Sequence, residues 1–217
     1  AGEVMWGIRT NGELWAWGGN SEGRMGINQP TSYKRSSPVQ IPGSWSNVSG
    51  GAAWSSAGAV KTDGTLWMWG SNSVGQLGIN DTTTYSSPKQ VGSGTDWANM
   101  QICQASVRAV KTDGTLWSWG KNNQGQLGVD NTTQYSSPVQ VGSGTDWSTD
   151  VDALGSYTYS AGAVKTDGTL WMWGENNQGQ LGQNNRTQYS SPRQVPGTAW
   201  TSLFGQHTAY KGVKLVD

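Results

Sequence analysis

The sequence predicts an all-β fold assembled from repeated small sheets, and three observations carry that prediction. First, the ten-residue stretch Lys61-Thr62-Asp63-Gly64-Thr65-Leu66-Trp67-Met68-Trp69-Gly70 returns at 111–120 and 165–174, with a looser copy at 9–18. Second, its first indole, at Trp15, Trp67, Trp117 and Trp171, recurs after 52, 50 and 54 residues, the period of a propeller blade. Third, 14 Trp and 32 Gly in a chain only 34% hydrophobic concentrate burial in a few large rings set between turns. Four blades of about 50–54 residues, forming one β-propeller domain over 1–217, is the resulting expectation.

Each period divides into four short strands, A to D. In the second period these are expected at Asn47 to Ala53, Ala57 to Lys61, Thr65 to Trp69 and Pro88 to Val91. Between B and C lies Asp-Gly, at Asp63-Gly64, Asp113-Gly114 and Asp167-Gly168, with Asn11-Gly12 in the first copy; the pair predicts a two-residue type I′ hairpin. Strand C alternates, so Trp67 and Trp69 share one face while Leu66 and Met68 share the other. With both faces apolar, the strand must be covered on both sides, as it is between neighbouring blades. Small residues in strand B, Ala57-Gly58-Ala59 and Ala161-Gly162-Ala163, leave room for large neighbours, and Val107-Arg108-Ala109 is the irregular copy.

After strand C, the loops 72–78, 122–128 and 176–182 share the pattern Asn-x-x-Gly-Gln-Leu-Gly, and Asn20 to Gly26 is a variant. Their glycines permit tight turns while Leu77, Leu127, Leu181 and Met25 plug the core. Ser-Ser-Pro then leads into strand D, where Pro suits an outer edge. The chain opens on a strand B, Val4 to Arg9, and closes on a strand A, Thr201 to Gly205, followed by Tyr210 to Val216. The last strand A is therefore expected to complete the first blade as a clasp joining the ends, with an open arc or a ring shared by two chains as the alternative.

Copies of the form AVKTDGTLWxWGxNxxGQLG followed by SSPxQV resemble the regulator of chromosome condensation repeat. The resemblance spans nearly the whole chain, because five landmarks recur in order four times. It implies a propeller, typically of seven blades, acting as a protein-binding platform. Some family members are guanine-nucleotide exchange factors and one bacterial relative inhibits β-lactamase. This chain departs in having four repeats, and the family histidine is matched only in Gly205-Gln206-His207-Thr208. Its Trp-, Ser-, Thr- and Asn-rich composition looks like repeats of bacterial and bacteriophage surface proteins.

Fourteen basic against 14 acidic residues leave no electrostatic footprint for nucleic acid. No apolar run approaches the ~20 residues that cross a bilayer, so membrane insertion is not expected. The lone Cys103 has a small apolar neighbourhood and reads as a buried, inert thiol. A single histidine, His207, excludes a three-histidine zinc site, and a hydrogen-bonded structural role suits it better than a Ser-His-Asp triad. Asp63, Asp113 and Asp167 belong to hairpins on separate blades, too far apart for paired-carboxylate chemistry. Asp81 and Asp130 have too few acidic companions for a calcium site. No catalytic, cofactor-binding or metal-binding residue is assigned.

The function expected is therefore non-enzymatic recognition or assembly by polar loops, in an extracellular or virion-surface setting. The partner is a protein or a further copy of the chain. Candidate contacts are Tyr33, Tyr85, Tyr135, Tyr189, Trp54, Tyr157 and Tyr159. For the repeated tyrosines, packing beneath Ser-Ser-Pro is the competing role and the weightier one. A glycan-binding lectin is the second reading, and a hydrolase or nucleotide exchange factor the one of a different class.

Overall fold

In the last three copies the Trp-x-Trp-Gly strand buries its second indole fully and its first only in part, and those blades are built around that asymmetry. The computed structural model describes residues 4–50 and 56–203. The first sheet has three antiparallel strands, β1 (Val4–Ile8), β2 (Leu14–Gly19) and β3 (Lys34–Ile41). The second runs β4 (Trp45–Gly50), β5 (Ser56–Lys61), β6 (Leu66–Gly70) and β7 (Tyr85–Gln90) in spatial order. The third repeats it with β8 (Trp97–Cys103), β9 (Ser106–Lys111), β10 (Leu116–Gly120) and β11 (Tyr135–Gln140). The fourth has β12 (Leu154–Ser156), β13 (Ser160–Val164), β14 (Leu170–Gly174) and β15 (Tyr189–Gln194).

The expected strands are present with shifted ends. Strand D begins at Tyr85, Tyr135 and Tyr189, ahead of the proline, so these tyrosines pair with Gly70, Gly120 and Gly174. The Asp-Gly hairpins differ from type I′. Only the glycine has positive φ, +79° at Gly64, and Gly64 donates to the Lys61 carbonyl at 3.0 Å while Lys61 donates to the Thr65 carbonyl at 2.9 Å. That is a three-residue loop, a type I turn closed by a left-handed glycine. Asp63 stays out of the left-handed region because its carboxylate accepts from the Thr65 amide at 3.0 Å and the Thr65 hydroxyl at 2.6 Å. Of the expected final strand A, Thr201 to Leu203 do not pair in a strand, and the remainder lies outside the described residues with Tyr210 to Val216 and His207.

The core sits between blades. Leu14, Met25 and Ile41 of the first blade meet Trp45, Ala57 and Trp69 of the second. Leu66, Met68 and Leu77 of the second meet Met100, Val107 and Trp119 of the third. Val110 and Leu116 of the third meet Leu154, Ala161 and Trp173 of the fourth. Thus at each of these three junctions the Trp face of strand C looks back to the preceding blade, and it meets that blade's Leu, Ala or Met face looking forward. The strands nearest the axis meet in series, β1 with β4, β4 with β8 and β8 with β12. Hydrogen bonds link them: Asn47 Nδ2 to Asn99 Oδ1, and Asn99 Nδ2 to the Asp150 carbonyl at 2.9 Å.

A cross-strand pair within each blade sets one large residue against one small one while its members change. Gly58 opposes Met68 and Gly162 opposes Met172, and a Cβ at either glycine would collide with the methionine sulfur. The irregular copy places Arg108 opposite Ser118, and the first blade places Trp6 opposite Ala16. Arg108 is wholly buried, reaching the Gln126 carbonyl with Nη1 at 3.5 Å. Replacing Ser118→Met alone should therefore destabilise the protein by ~1–3 kcal/mol through overpacking. The double variant Arg108→Gly/Ser118→Met should recover most of that loss in urea unfolding; additive losses would refute the compensation.

Candidate functional site

The loop Asn72 to Gly78 folds around one buried amide. Asn72 Oδ1 accepts from the Leu77 amide at 2.9 Å, and its Nδ2 donates to the Asp81 carbonyl at 2.9 Å, drawing both ends of the loop together. Asn20, Asn122 and Asn176 do the same for Met25, Leu127 and Leu181. The carbonyl just before each of the first three plugs is turned toward the next blade. There the second Trp of strand C donates its indole N–H: Trp69 to Arg24 O at 2.8 Å, Trp119 to Gln76 O at 3.1 Å and Trp173 to Gln126 O at 3.0 Å. A Cβ on Gly26, Gly78 or Gly128 would lie 2.7, 2.6 or 2.7 Å from those same indole nitrogens. Glycine is needed there both for its positive φ and for the close approach.

Above this fixed base, Thr82–Thr84, Thr132–Gln134 and Arg186–Gln188 are exposed. The four repeated tyrosines follow directly. Tyr85 donates its hydroxyl to Asp81 Oδ2 at 3.1 Å, which raises its pKa above the ordinary phenol value. Tyr135 and Tyr189 accept from Asn131 and Asn185 amides, each at 3.1 Å. A cation from the same strand lies over most of the rings: Lys89 over Tyr85 at 4.7 Å, Arg193 over Tyr189 at 5.0 Å and Arg35 over Tyr33 at 5.6 Å. All four are half-buried, and Tyr85, Tyr135 and Tyr189 border the core clusters.

Tyr157 and Tyr159 lie in the β12–β13 turn, at the same end of the blades as the start of strand D. Tyr157 is half-buried, and burial raises its pKa. Tyr159 lies beneath Lys121 of the preceding blade at 4.9 Å. The structure thus gathers six of the aromatic candidates at one end of the blades; Trp54 lies outside the described residues. Cys103 donates to the Tyr157 carbonyl at 2.6 Å, and burial pushes its thiol pKa up, as suits an inert thiol.

The opposite end carries the Asp-Gly hairpins. Each carboxylate is committed locally: hydrogen bonds from Thr65, Thr115 and Thr169 hold Asp63, Asp113 and Asp167 below the ordinary carboxylate range. The same threonine hydroxyls accept from Trp67, Trp117 and Trp171 at 2.8–2.9 Å, tying the half-buried indoles to the turns. Lys61, Lys111 and Lys165 lie over these rings at 4.1, 5.0 and 4.9 Å. Among the described residues, no group of three or more His, Cys, Asp or Glu side chains is gathered as a metal site.

The buried loop asparagine and the Gln76-type acceptor are roles that periodicity alone does not reveal. The threefold recurrence of Asn-x-x-Gly-Gln-Leu-Gly, with its asparagine kept in the first copy as Asn20, is the available signal, because polar residues repeated with that fidelity must be satisfied somewhere.

A radial series of one three-stranded and three four-stranded sheets, each of the latter locked to the sheet before it through an indole, defines a β-propeller of the repeat type. The family model for the regulator of chromosome condensation (RCC1) repeat matches residues 11–58, 63–106, 113–157 and 167–202. The chain belongs to the RCC1 repeat family. It is 31% identical over 86 residues to the mouse X-linked retinitis pigmentosa GTPase regulator, covering 38% of this chain and 8% of that protein. Human WBSCR16 superposes with a TM-score of 0.74 at 21% identity, over 90% of this chain and 52% of that one. Prp20p of Saccharomyces cerevisiae, described with its binding to Gsp1p and histones, gives 0.74 at 17%, over 91% and 49%. Yeast RCC1 (Prp20) in complex with Kap60 gives 0.73 at 16%, over 91% and 47%. The chain thus spans about half of each solved relative and a small part of the mouse protein.

Two predictions follow from these contacts. Gly78→Ala and Gly182→Ala both force alanine into positive φ, +71° and +67°, yet a Cβ at Gly182 meets only Val195, at 3.3 Å. Each should lose ~1–2 kcal/mol to backbone strain, and Gly78→Ala a further ~1–3 kcal/mol from the clash with Trp119; equal losses in urea unfolding would contradict the inter-blade lock. Second, a carboxyl with lowered folded pKa stabilises above the unfolded value of ~3.9 and loses that contribution as pH falls through the lower folded value. The Thr65, Thr115 and Thr169 amide protons should titrate below ~3.9 by NMR; midpoints at or above it would contradict the hairpin hydrogen bonds.

Proposed function

We propose that this propeller is a non-enzymatic recognition platform whose partner is a protein, contacted at the end that carries the Asn-x-x-Gly-Gln-Leu-Gly loops. The observation that carries the reading is the placement of Thr82–Thr84, Thr132–Gln134 and Arg186–Gln188, exposed and repeated on a base fixed by buried asparagines. Rigid elements that display variable loops are where binding specificity usually resides. The naming of Gsp1p, histones and Kap60 with the yeast propeller supports a protein partner for this fold. The commitment of Asp63, Asp113 and Asp167 to their own turns supports a non-catalytic role at the opposite end.

Tyr33, Tyr85, Tyr135, Tyr189, Tyr157 and Tyr159 join the surface as supports that set the loops' shape. A lectin that stacks sugars on the repeated tyrosines is less well supported, because Arg35, Lys89 and Arg193 already cover Tyr33, Tyr85 and Tyr189. Assembly with further copies, a bacterial or bacteriophage origin, and an extracellular or virion surface are parts of the proposal that rest on composition. Guanine-nucleotide exchange is the rival of a different class, and acceleration of nucleotide release from a small GTPase would favour it.

A photo-crosslinking residue placed at Thr83, Thr133 or Gln188 should capture a discrete protein partner from the source cell. The same residue at Ser93 or Ser143, on the turns beside the hairpins, should capture none. Capture restricted to the second set would overturn the assignment of the binding end.

A further inference from the structure

The three blade junctions share a set of contacts, and the back of the first blade and the front of the fourth carry the two unmatched halves of that set. The first contact is the indole lock of Trp69, Trp119 and Trp173. In the first blade the equivalent Trp17 is half-buried, and its indole donates to no described residue. Met5, which opposes Trp17, is 51% exposed, whereas Ala57, Val107 and Ala161, which oppose the locked indoles, are wholly buried. On the fourth blade, no described indole donates to the Gln180 carbonyl ahead of the plug Leu181, and a Cβ on Gly182 meets only Val195.

The outer strands repeat the mismatch. The Asn28, Asn80 and Asp130 amides donate to the Ser86, Ser136 and Ser190 carbonyls of the next blade at 2.8, 2.7 and 2.8 Å. Asn184 keeps the same left-handed backbone, at φ +55°, with no described acceptor. The first-blade counterpart of Ser86 is Ser36, one residue past Arg35, which pairs with Gly18 as Tyr85 pairs with Gly70. Ser36 is exposed, while Ser86, Ser136 and Ser190 are half-buried.

The tryptophan that enters each blade completes the set. Trp45, Trp97 and Trp147 are buried edge-on against the locked indoles of their blades. Trp200 leaves the fourth blade as they leave theirs, its amide donating to the Gly168 carbonyl at 3.0 Å, yet it is 39% exposed. Leu203 packs on Gly162 as Met100 packs on Gly58, so 200–203 stands where the strand A of a following blade begins. The first sheet is the one with strands B to D alone among the described residues.

Two of the three exposed large hydrophobic side chains described, Met5 and Trp200, thus lie on these two faces. The faces are complementary to each other, being the halves of one junction. The chain superposes on about half of WBSCR16 and of Prp20p, which makes it an arc of about half a ring. Its end faces are therefore turned apart, and a second arc of the same curvature fits between them.

We propose that two copies of this chain pair head to tail into one ring. At each junction, Trp17 of one copy donates to the Gln180 carbonyl of the other and packs over Gly182 and against Trp200. The Asn184 amide donates to the Ser36 carbonyl, and Thr201 to Leu203 lie beside β1. The two junctions are equivalent about a two-fold axis, and closure leaves neither face open. The exposed loops assigned to a protein partner stay free, as they do beside the three junctions within the chain, so neither assignment depends on the other.

Light scattering on the full chain, separated by size, should give twice the mass of one chain, falling toward one on dilution. The Trp17 indole signal of 15N-Trp-labelled protein should shift in step with that mass while those of Trp69 and Trp119 stay fixed. Ser36→Arg, at a residue exposed in the single chain, should leave the fold intact by circular dichroism and weaken pairing about tenfold or more. Ser93→Arg, on an exposed turn between blades two and three, should leave the mass unchanged. Gly182→Ala should also separate the pair, so its unfolding is compared with that of Gly78→Ala at dilutions where the chains are apart. A single-chain mass at every concentration, a mass that rises past two chains, or a pair that survives Ser36→Arg would each overturn the proposal.

Discussion

The hydrogen bond from the second indole of each strand C to the preceding loop is the constraint from which the architecture follows. Trp69, Trp119 and Trp173 are wholly buried, so each N–H must find a partner within the protein. Leaving such a donor unmade costs ~1–3 kcal/mol, more than the ~0.5–1.5 kcal/mol a made bond contributes, so the bond acts chiefly by excluding other arrangements. The acceptor must stand in one place relative to the next blade. That requirement passes to the loop, to its buried asparagine, and to the glycine over which the ring slides. A blade is therefore incomplete on its own, and the core forms across junctions.

The repeats tolerate change wherever the junction does not read the side chain directly. Arg108 opposite Ser118 occupies the place where two other blades put glycine opposite methionine, and Trp6 opposite Ala16 distributes the volume similarly. What recurs is the opposition of one large residue to one small one between strands B and C. Close packing makes that complementarity more exacting than either residue's identity. The buried guanidinium carries a desolvation cost that lowers its pKa, which an all-apolar pair would avoid.

The alternation of Trp with Leu and Met was readable because side-chain direction has period two, and that placed the blades and their shared core. Turn type was not, since Asp-Gly suits either a two-residue loop or a type I turn with a left-handed glycine. The choice fell to the Asp63–Thr65 hydrogen bonds, a side-chain effect that backbone tolerance does not encode. The start of strand D was misplaced for a related reason: Tyr85 follows a run of threonines that looks like loop, whereas its pairing with Gly70 is set across the sheet. The grouping of the aromatic candidates at one end was implicit in chain direction, because the A-to-B turns and C-to-D loops must share an end of every blade. Their cation partners depend on rotamers and were not.

The two ends of the blades consequently differ in how freely they can vary. At the hairpin end, aspartate, threonine, lysine and indole form one connected set, so a change at Asp63 also disturbs Thr65 and, through it, Trp67. At the loop end the structural duties fall on the asparagine, the plug residue and the tyrosine hydroxyl, which are separated by exposed threonines and glutamines. Thr83 is exposed while its amide donates to Asp81 Oδ1 at 2.9 Å, and the Thr133 and Thr187 amides repeat that bond with Asn131 and Asn185. Backbone geometry there is fixed chiefly by main-chain hydrogen bonds to the aspartate or asparagine side chain two residues back. Such positions can change identity at little cost in stability, which is the physical condition for one propeller scaffold to acquire different partners.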